Sequence, residues 1–161
     1  MKTFAAGLIA CALLCVTMTA CVNAYDSSGS AAADFKLNDL SGRAYQLSSY
    51  RGKQPVLLFF WTTWCPFCLQ SMQVLNRDYA SFEQKGIELF GINAGERRSS
   101  VERLARNYNI KYTILLDEES TATDKYRILG VPTYVLIGKD GRIIYKGNSY
   151  PADDLEQLAA Q

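Results

Sequence analysis

The sequence predicts an α/β fold, a mixed β-sheet flanked by helices and preceded by an N-terminal β-hairpin. Three observations carry that reading. Strand-like and helix-like patterns alternate in the order βαβαβαββα after the hairpin. One stretch, Val56–Trp61, is apolar at every position, as expected of a central strand buried on both faces. The composition is that of an ordinary globular protein, 48% hydrophobic and 20% charged over 161 residues, a length suited to one domain.

The elements follow in order. Phe35–Leu37 and Ala44–Leu47 flank Ser41-Gly42, which suggests a short hairpin. After the Val56–Trp61 strand, Leu69, Met72, Leu75, Tyr79 and Phe82 recur at three- and four-residue steps, giving a helix with one apolar face that Gly86 stops. Ile87–Ile92 is the next strand. Ser99 and Glu102 have the spacing of a capping box, opening a helix whose buried stripe is Val101, Leu104, Ala105 and Tyr108. Ile114–Leu116 reads as a strand, and a short helix around Thr123–Tyr126 ends near Gly130. Thr133–Ile137 and Arg142–Lys146 are strands joined by the turn signal Lys139-Asp140-Gly141. A last helix, Ala152–Ala160, follows Pro151 and turns Leu155 and Leu158 inward.

Composition also excludes function classes. Lys and Arg number 17 against 16 Asp and Glu, so nothing in the charge favours nucleic acid or an anionic membrane surface as the main partner. There is no histidine, which removes Cys-His dyads, Ser-His-Asp triads and histidine metal sites.

Three of the five cysteines, Cys11, Cys15 and Cys21, lie near the start. Lys2 is the only charge before Asp26, and an apolar run with small residues fills the interval, the pattern of a secretory signal over residues 1–20, with a permanent transmembrane anchor extended through Val22 as the competing reading. Met18-Thr19-Ala20-Cys21 resembles a bacterial lipobox, which would make Cys21 the lipidated first residue and its lipid the only membrane contact. The competing site, after Val22-Asn23-Ala24, would release a soluble chain. Either outcome puts the protein in the bacterial periplasm or cell envelope, where disulfides persist. Residues 21–33 read as a flexible tether, small and polar without apolar periodicity, and residues 34–161 as the folded domain.

Two thiols then remain, in Trp64-Cys65-Pro66-Phe67-Cys68, between the most apolar strand and a clear helix. Cys65 falls at the helix N-terminus, where unpaired N–H groups and the helix dipole favour an anion, so its pKa should lie below the free value of about 8.5. Pro66 suits the first turn, where its missing N–H has no partner to lose. Cys68 lies one turn in and should be the more buried. Cys65 is then the attacking thiol and Cys68 the resolving one. A purely stabilising disulfide is the weaker reading, because so short a loop closes little chain entropy. A zinc site lacks further ligands, so neither metal nor cofactor is expected.

The segment Phe60–Cys68 resembles the active-site stretch of the thioredoxin superfamily. More closely, the chain resembles the exported TlpA/ResA-like thiol–disulfide oxidoreductases, which are related to the AhpC/TSA, or peroxiredoxin, group. Phe35–Gly42 with Leu47–Lys53 is similar to that branch's N-terminal segment. Phe90-Gly91-Ile92-Asn93 and Ile114–Asp117 bracket its central βα insertion, Gly130-Val131-Pro132-Thr133 resembles its cis-proline loop, and Ile137–Ile143 its late hairpin. The resemblance implies a thioredoxin-like fold with Pro132 cis and facing the dithiol. It also implies a substrate groove of Trp64, Pro66, Phe67, Val131 and Pro132, with the Val131 backbone pairing to a substrate strand. Trp61 is assigned to the core.

The chain departs from the branch where carboxylates are common. Ser71 and Gln73 stand where relatives carry Glu and Pro, and Phe59 where thioredoxin has a buried Asp. Another carboxylate, Glu88 or Asp117, would have to fold into the same place, or none serves the dithiol. The implied function is exchange of disulfides with exported proteins, more as a reductant, as in cytochrome c maturation or general periplasmic thiol reduction. Electrons would come from a membrane or periplasmic donor. A peroxiredoxin-like peroxidase, echoed by Thr62 three residues before Cys65, and a non-catalytic binding module are the alternatives.

Overall fold

The computed structural model describes residues 29–159. The expected signal segment over residues 1–20 and Cys21 lie outside the described residues. Seven strands form one mixed sheet: β1 (Lys36–Asp39), β2 (Ala44–Gln46), β3 (Val56–Trp61), β4 (Glu88–Ala94), β5 (Thr113–Asp117), β6 (Thr133–Ile137) and β7 (Ile143–Gly147). Helices α1 (Pro66–Gln84), α2 (Arg98–Asn107), α3 (Thr121–Lys125) and α4 (Ala152–Ala159) complete the α/β architecture. The sheet order is β2-β1-β5-β4-β3-β6-β7, with β3, β4 and β5 parallel and the remaining pairs antiparallel.

β3 lies inside the sheet, between β4 and β6. All six of its residues are buried, and alternate side chains feed two cores. Leu57, Phe59 and Trp61 pack with Met72, Leu75 and Phe82 of α1 on one face. Val56, Leu58 and Phe60 pack on the other with Leu37, Phe90, Ile92, Ala122 of α3 and Tyr126 just past its end. A strand able to bury both faces needs no polar alternation, which is why its sequence is a continuous apolar run.

Three local expectations differ from the structure. Ser99 does not cap α2; the helix begins at Arg98, and the Glu118 carboxylate accepts the Arg98 N–H at 2.8 Å. Glu102 instead sits 3.9 Å from both Arg98 and Arg106, one turn away on each side. α3 starts earlier, at Thr121, because Asp117 accepts the Ala122 and Thr123 N–H groups and both threonine hydroxyls of its first turn. It ends at Lys125, well short of Gly130. Residues 29–33, the end of the expected tether, lie against the domain: Ala32 is buried and its N–H donates to Gly141 O, while at the start of β7 the Gly29 N–H donates to Ile143 O and the Ile143 N–H donates to Ser30 O.

The parallel strands end together at the edge where β3 passes into α1. In the middle of β4, opposite Phe59, Gly91 lies against Trp61 and Tyr112: a Cβ there would stand 2.8 Å from the Tyr112 ring and 3.2 Å from Trp61 Nε1. Gly91→Ala should therefore destabilise the fold by about 1–3 kcal/mol through overpacking, measured by urea unfolding. An unchanged midpoint would show that the two rings give way freely.

Candidate active site

β3 delivers the chain to Thr62, a turn follows, and α1 begins at Pro66. Cys65 is the residue that caps this helix. Its backbone is extended, and its Sγ accepts the Cys68 N–H at 3.2 Å, the bond that a serine or threonine oxygen makes at other helix starts. Pro66 occupies the first helical position. No acidic residue stands in the first turn of α1 to oppose negative charge on the sulfur. Cys65 and Cys68 are joined in a disulfide, with Cα atoms 5.2 Å apart. Cys65 keeps 4% exposure and Cys68 none, so only the first sulfur can meet a partner.

The facing wall is the loop before β6. The Val131–Pro132 peptide is cis, and Val131 O lies 3.6 Å from Cys65 Sγ. Antiparallel pairing of β3 with β6 sets Thr133 opposite Phe60 and so brings this loop beside the motif. The loop is pinned from below: Asn148 Nδ2 donates to Pro132 O at 2.7 Å and to Thr133 Oγ1 at 3.1 Å, while Thr133 Oγ1 donates to Gly130 O at 2.7 Å. Trp64 is 72% and Phe67 69% exposed, flanking the disulfide with large apolar surfaces. Trp61 is wholly buried.

Beside Phe67 and Pro132 runs a groove of about 460 Å³, floored by Ser71 and Tyr134 and closed by Tyr150. No carboxylate lines it. Ser71 shares a hydrogen bond with the Tyr134 hydroxyl; burial pushes that hydroxyl above its ordinary range, and the Ser71 bond pulls the other way. Phe59 stacks on the Tyr134 ring at 5.2 Å, so aromatic packing fills the space behind the dithiol.

Neither Glu88 nor Asp117 reaches this place. Glu88 lies at the opposite end of the sheet, paired with Val56 at the start of β3 and hydrogen-bonded to Gln54. Burial holds its carboxyl above the ordinary range. Asp117 is committed to the first turn of α3. The carboxylate that does touch the motif's loop is Glu96, which sequence reasoning missed. It accepts the Thr63 N–H at 2.6 Å, the Thr63 hydroxyl at 2.5 Å and Asn93 Nδ2 at 2.7 Å. Gly95, at φ +70°, turns the chain after β4 so that Glu96 reaches the end of β3. Glu96 therefore positions the residues leading to Cys65; it does not face the groove.

A family model described as the AhpC/TSA family matches residues 28–146. The chain is 37% identical to the thiol-disulfide oxidoreductase ResA of Geobacillus thermodenitrificans over 115 residues, 71% of this chain. That alignment spans 66% of the relative, just under two thirds of its length. Among solved structures, a protein of Chlorobium tepidum described as a candidate thiol:disulfide interchange protein DsbE superposes with a TM-score of 0.73. It is 28% identical, and the match covers 83% of this chain and 95% of that one. A secreted Mycobacterium tuberculosis disulfide oxidoreductase, described as homologous to E. coli DsbE, superposes at 0.66 with 26% identity. There the match covers 78% of this chain and 94% of the other.

Glu96→Ala removes an acceptor of three hydrogen bonds and should cost about 1.5–3 kcal/mol of stability, read by urea unfolding. It should also slow alkylation of reduced Cys65 by iodoacetamide, since the loop before the sulfur loses its anchor. Full wild-type stability and alkylation rate would remove Glu96 from the site.

Proposed function

The chain belongs to the AhpC/TSA family, and from that premise we propose that it is an exported thiol–disulfide oxidoreductase that reduces disulfides in partner proteins. The observation that carries this reading is the capped sulfur of Cys65 beside a buried Cys68 and the cis Val131–Pro132 loop, whose Val131 O lies 3.6 Å from Cys65 Sγ. The similarity to ResA and DsbE-like proteins supports the same chemistry.

In the reduced protein the Cys68 N–H and the α1 dipole stabilise a Cys65 thiolate. That thiolate attacks one sulfur of a partner disulfide, and the other partner sulfur leaves as a thiolate that takes up a proton. A mixed disulfide now joins Cys65 to the partner. Cys68 loses its proton and attacks Cys65 Sγ, expelling the partner's second sulfur. Two electrons have moved, the partner holds two thiols, and Cys65–Cys68 is again a disulfide. A dithiol donor in the membrane or periplasm restores the reduced form. The partner's backbone pairs with the Val131 segment, and Trp64, Pro66, Phe67 and Pro132 cover the reacting sulfurs from water. No cofactor takes part.

The reductive direction is favoured by Pro66-Phe67 between the cysteines, with no histidine to stabilise a more oxidising dithiol. Export is supported by the signal pattern over residues 1–20 and by the secreted Mycobacterium relative. Anchoring through a lipid on Cys21, with service to cytochrome c maturation as one use of the reducing power, is the finer form of the proposal.

The assignment of roles predicts that Cys68→Ser accumulates mixed disulfides with partners, whereas Cys65→Ser does not. Trapping through Cys68 alone, or equally by both variants, would reverse or abolish it. Reduction of insulin disulfides with a dithiol donor tests the activity, and no turnover would overturn it.

The groove chemistry gives a further prediction. With Ser71 and Tyr134 rather than a carboxylate beside Cys68, only the two thiols should shape the pH profile of disulfide reduction below the tyrosine range. Ser71→Glu should raise the thiol pKa values and add an acid-range ionisation. A carboxylate-dependent limb already present in the wild type would contradict this.

A further inference from the structure

The loop that faces the sulfur lies outside the sheet's own ladder. Pairing of β6 with β3 begins at Thr133, opposite Phe60, and its pairing with β7 begins at Tyr134, opposite Gly147. Pro132 is therefore past the last rung on both sides. It has no N–H to donate, and no backbone donor among the described residues reaches its carbonyl. The backbone alone would leave this peptide the least restrained part of the site.

Asn148 supplies the missing rung with its side chain. It is the first residue past β7, and its Nδ2 donates to Pro132 O at 2.7 Å and to Thr133 Oγ1 at 3.1 Å. The Thr133 hydroxyl spends its own proton on Gly130 O, so toward Asn148 it can only accept. Both bonds thus require a donor at position 148. The turn that carries Asn148 is held in its place as well. The Tyr145 hydroxyl donates to Ser149 O at 2.9 Å, and Gly147 leaves room for that ring, since a Cβ there would stand 2.8 Å from Tyr145 Cζ. From Asn148 the connection runs through Pro132 and the cis peptide to Val131, whose carbonyl lies 3.6 Å from Cys65 Sγ.

We infer that Asn148 is a positioning residue for partner binding. Its amide fixes the Val131–Pro132 peptide where an extended partner chain pairs with it, and the sulfur chemistry itself does not need it. Asn148 is exposed, so the core does not depend on its side chain. The inference rests on the disulfide exchange proposed above, and it adds the residue that makes the site prefer polypeptide disulfides to small ones. A small disulfide has no backbone to pair with Val131 and gains nothing from a fixed loop.

The test compares two oxidants of the reduced full chain, read in stopped flow by the fluorescence of Trp64 beside Cys65. One is hydroxyethyl disulfide. The other is an extended peptide whose central cysteine is joined to 2-mercaptoethanol, so that both carry the same small thiol. The readout is the ratio of the peptide rate constant to the hydroxyethyl disulfide rate constant. Asn148→Leu keeps the size of the side chain and removes the donor, and it should lower that ratio roughly tenfold, the reach of one lost hydrogen bond. Asn148→Gln keeps the donor on a longer stem and should restore part of the ratio. Tyr145→Phe leaves Asn148 in the chain but frees its turn, and should lower the ratio in the same direction. A ratio that Asn148→Leu and Tyr145→Phe both leave unchanged overturns the inference, including the case in which both oxidants slow equally, because Asn148 would then be a general brace. A Gln variant no better than Leu would show that donation is not what counts and would overturn it too. Failure of the wild type to react with hydroxyethyl disulfide would overturn the proposed redox function itself.

Discussion

The site depends on a single hydrogen bond, from the Cys68 N–H to the Cys65 sulfur. It makes a cysteine do the work of a helix cap. The free N–H groups of α1 need an acceptor at that position in any case, and a sulfur that meets the need is also one whose anion is stabilised. The CxxC spacing follows directly. Capping joins the residue before the helix to the third helical position, so the second cysteine falls where its own backbone serves the first. Pro66 fits between them because the first helical N–H would have found no partner.

The rest of the fold holds that bond in register with the Val131–Pro132 loop. β3 is buried on both faces, so its end is rigid. β6 runs antiparallel beside it, and the register places Thr133 opposite Phe60, which leaves the cis Val131–Pro132 peptide level with the sulfur. Two loops supply separate braces. Glu96 ties Thr63 to the end of β4, and Asn148 ties Pro132 and Thr133 to the end of β7. Neither brace reaches a sulfur. Each fixes one of the two chains between which the sulfurs lie.

The legible parts of the sequence were those where side chains record burial. Val56–Trp61, the apolar stripe of α1 and the hairpin at Lys139–Gly141 all declare themselves through period or turn chemistry, and each element forms near its expected place. The motif was legible because strand, turn and helix surround it, whereas the cis Pro132 facing it came only from the resemblance of Gly130-Val131-Pro132-Thr133 to a known loop. Interactions made through the backbone left no such record. Residues 29–33 join β7 by main-chain bonds, so their small side chains read as a tether. Ser99 and Glu102 matched a cap pattern, but Glu118, from a loop distant in sequence, took the helix start first. Glu96 was invisible for a related reason: its partner Thr63 lies just past the parallel neighbour β3, distant in sequence, and only Gly95 before it hinted at a turn.

Site-resolved titration of the two thiols in the reduced protein, by NMR of cysteine Cβ labelled with carbon-13, tests the central claim most directly. The account predicts that Cys65 ionises first, well below the free value of about 8.5, and that buried Cys68 ionises at higher pH. If the two titrate together in the free-cysteine range, or if Cys68 ionises first, the helix cap does not set the chemistry of this site.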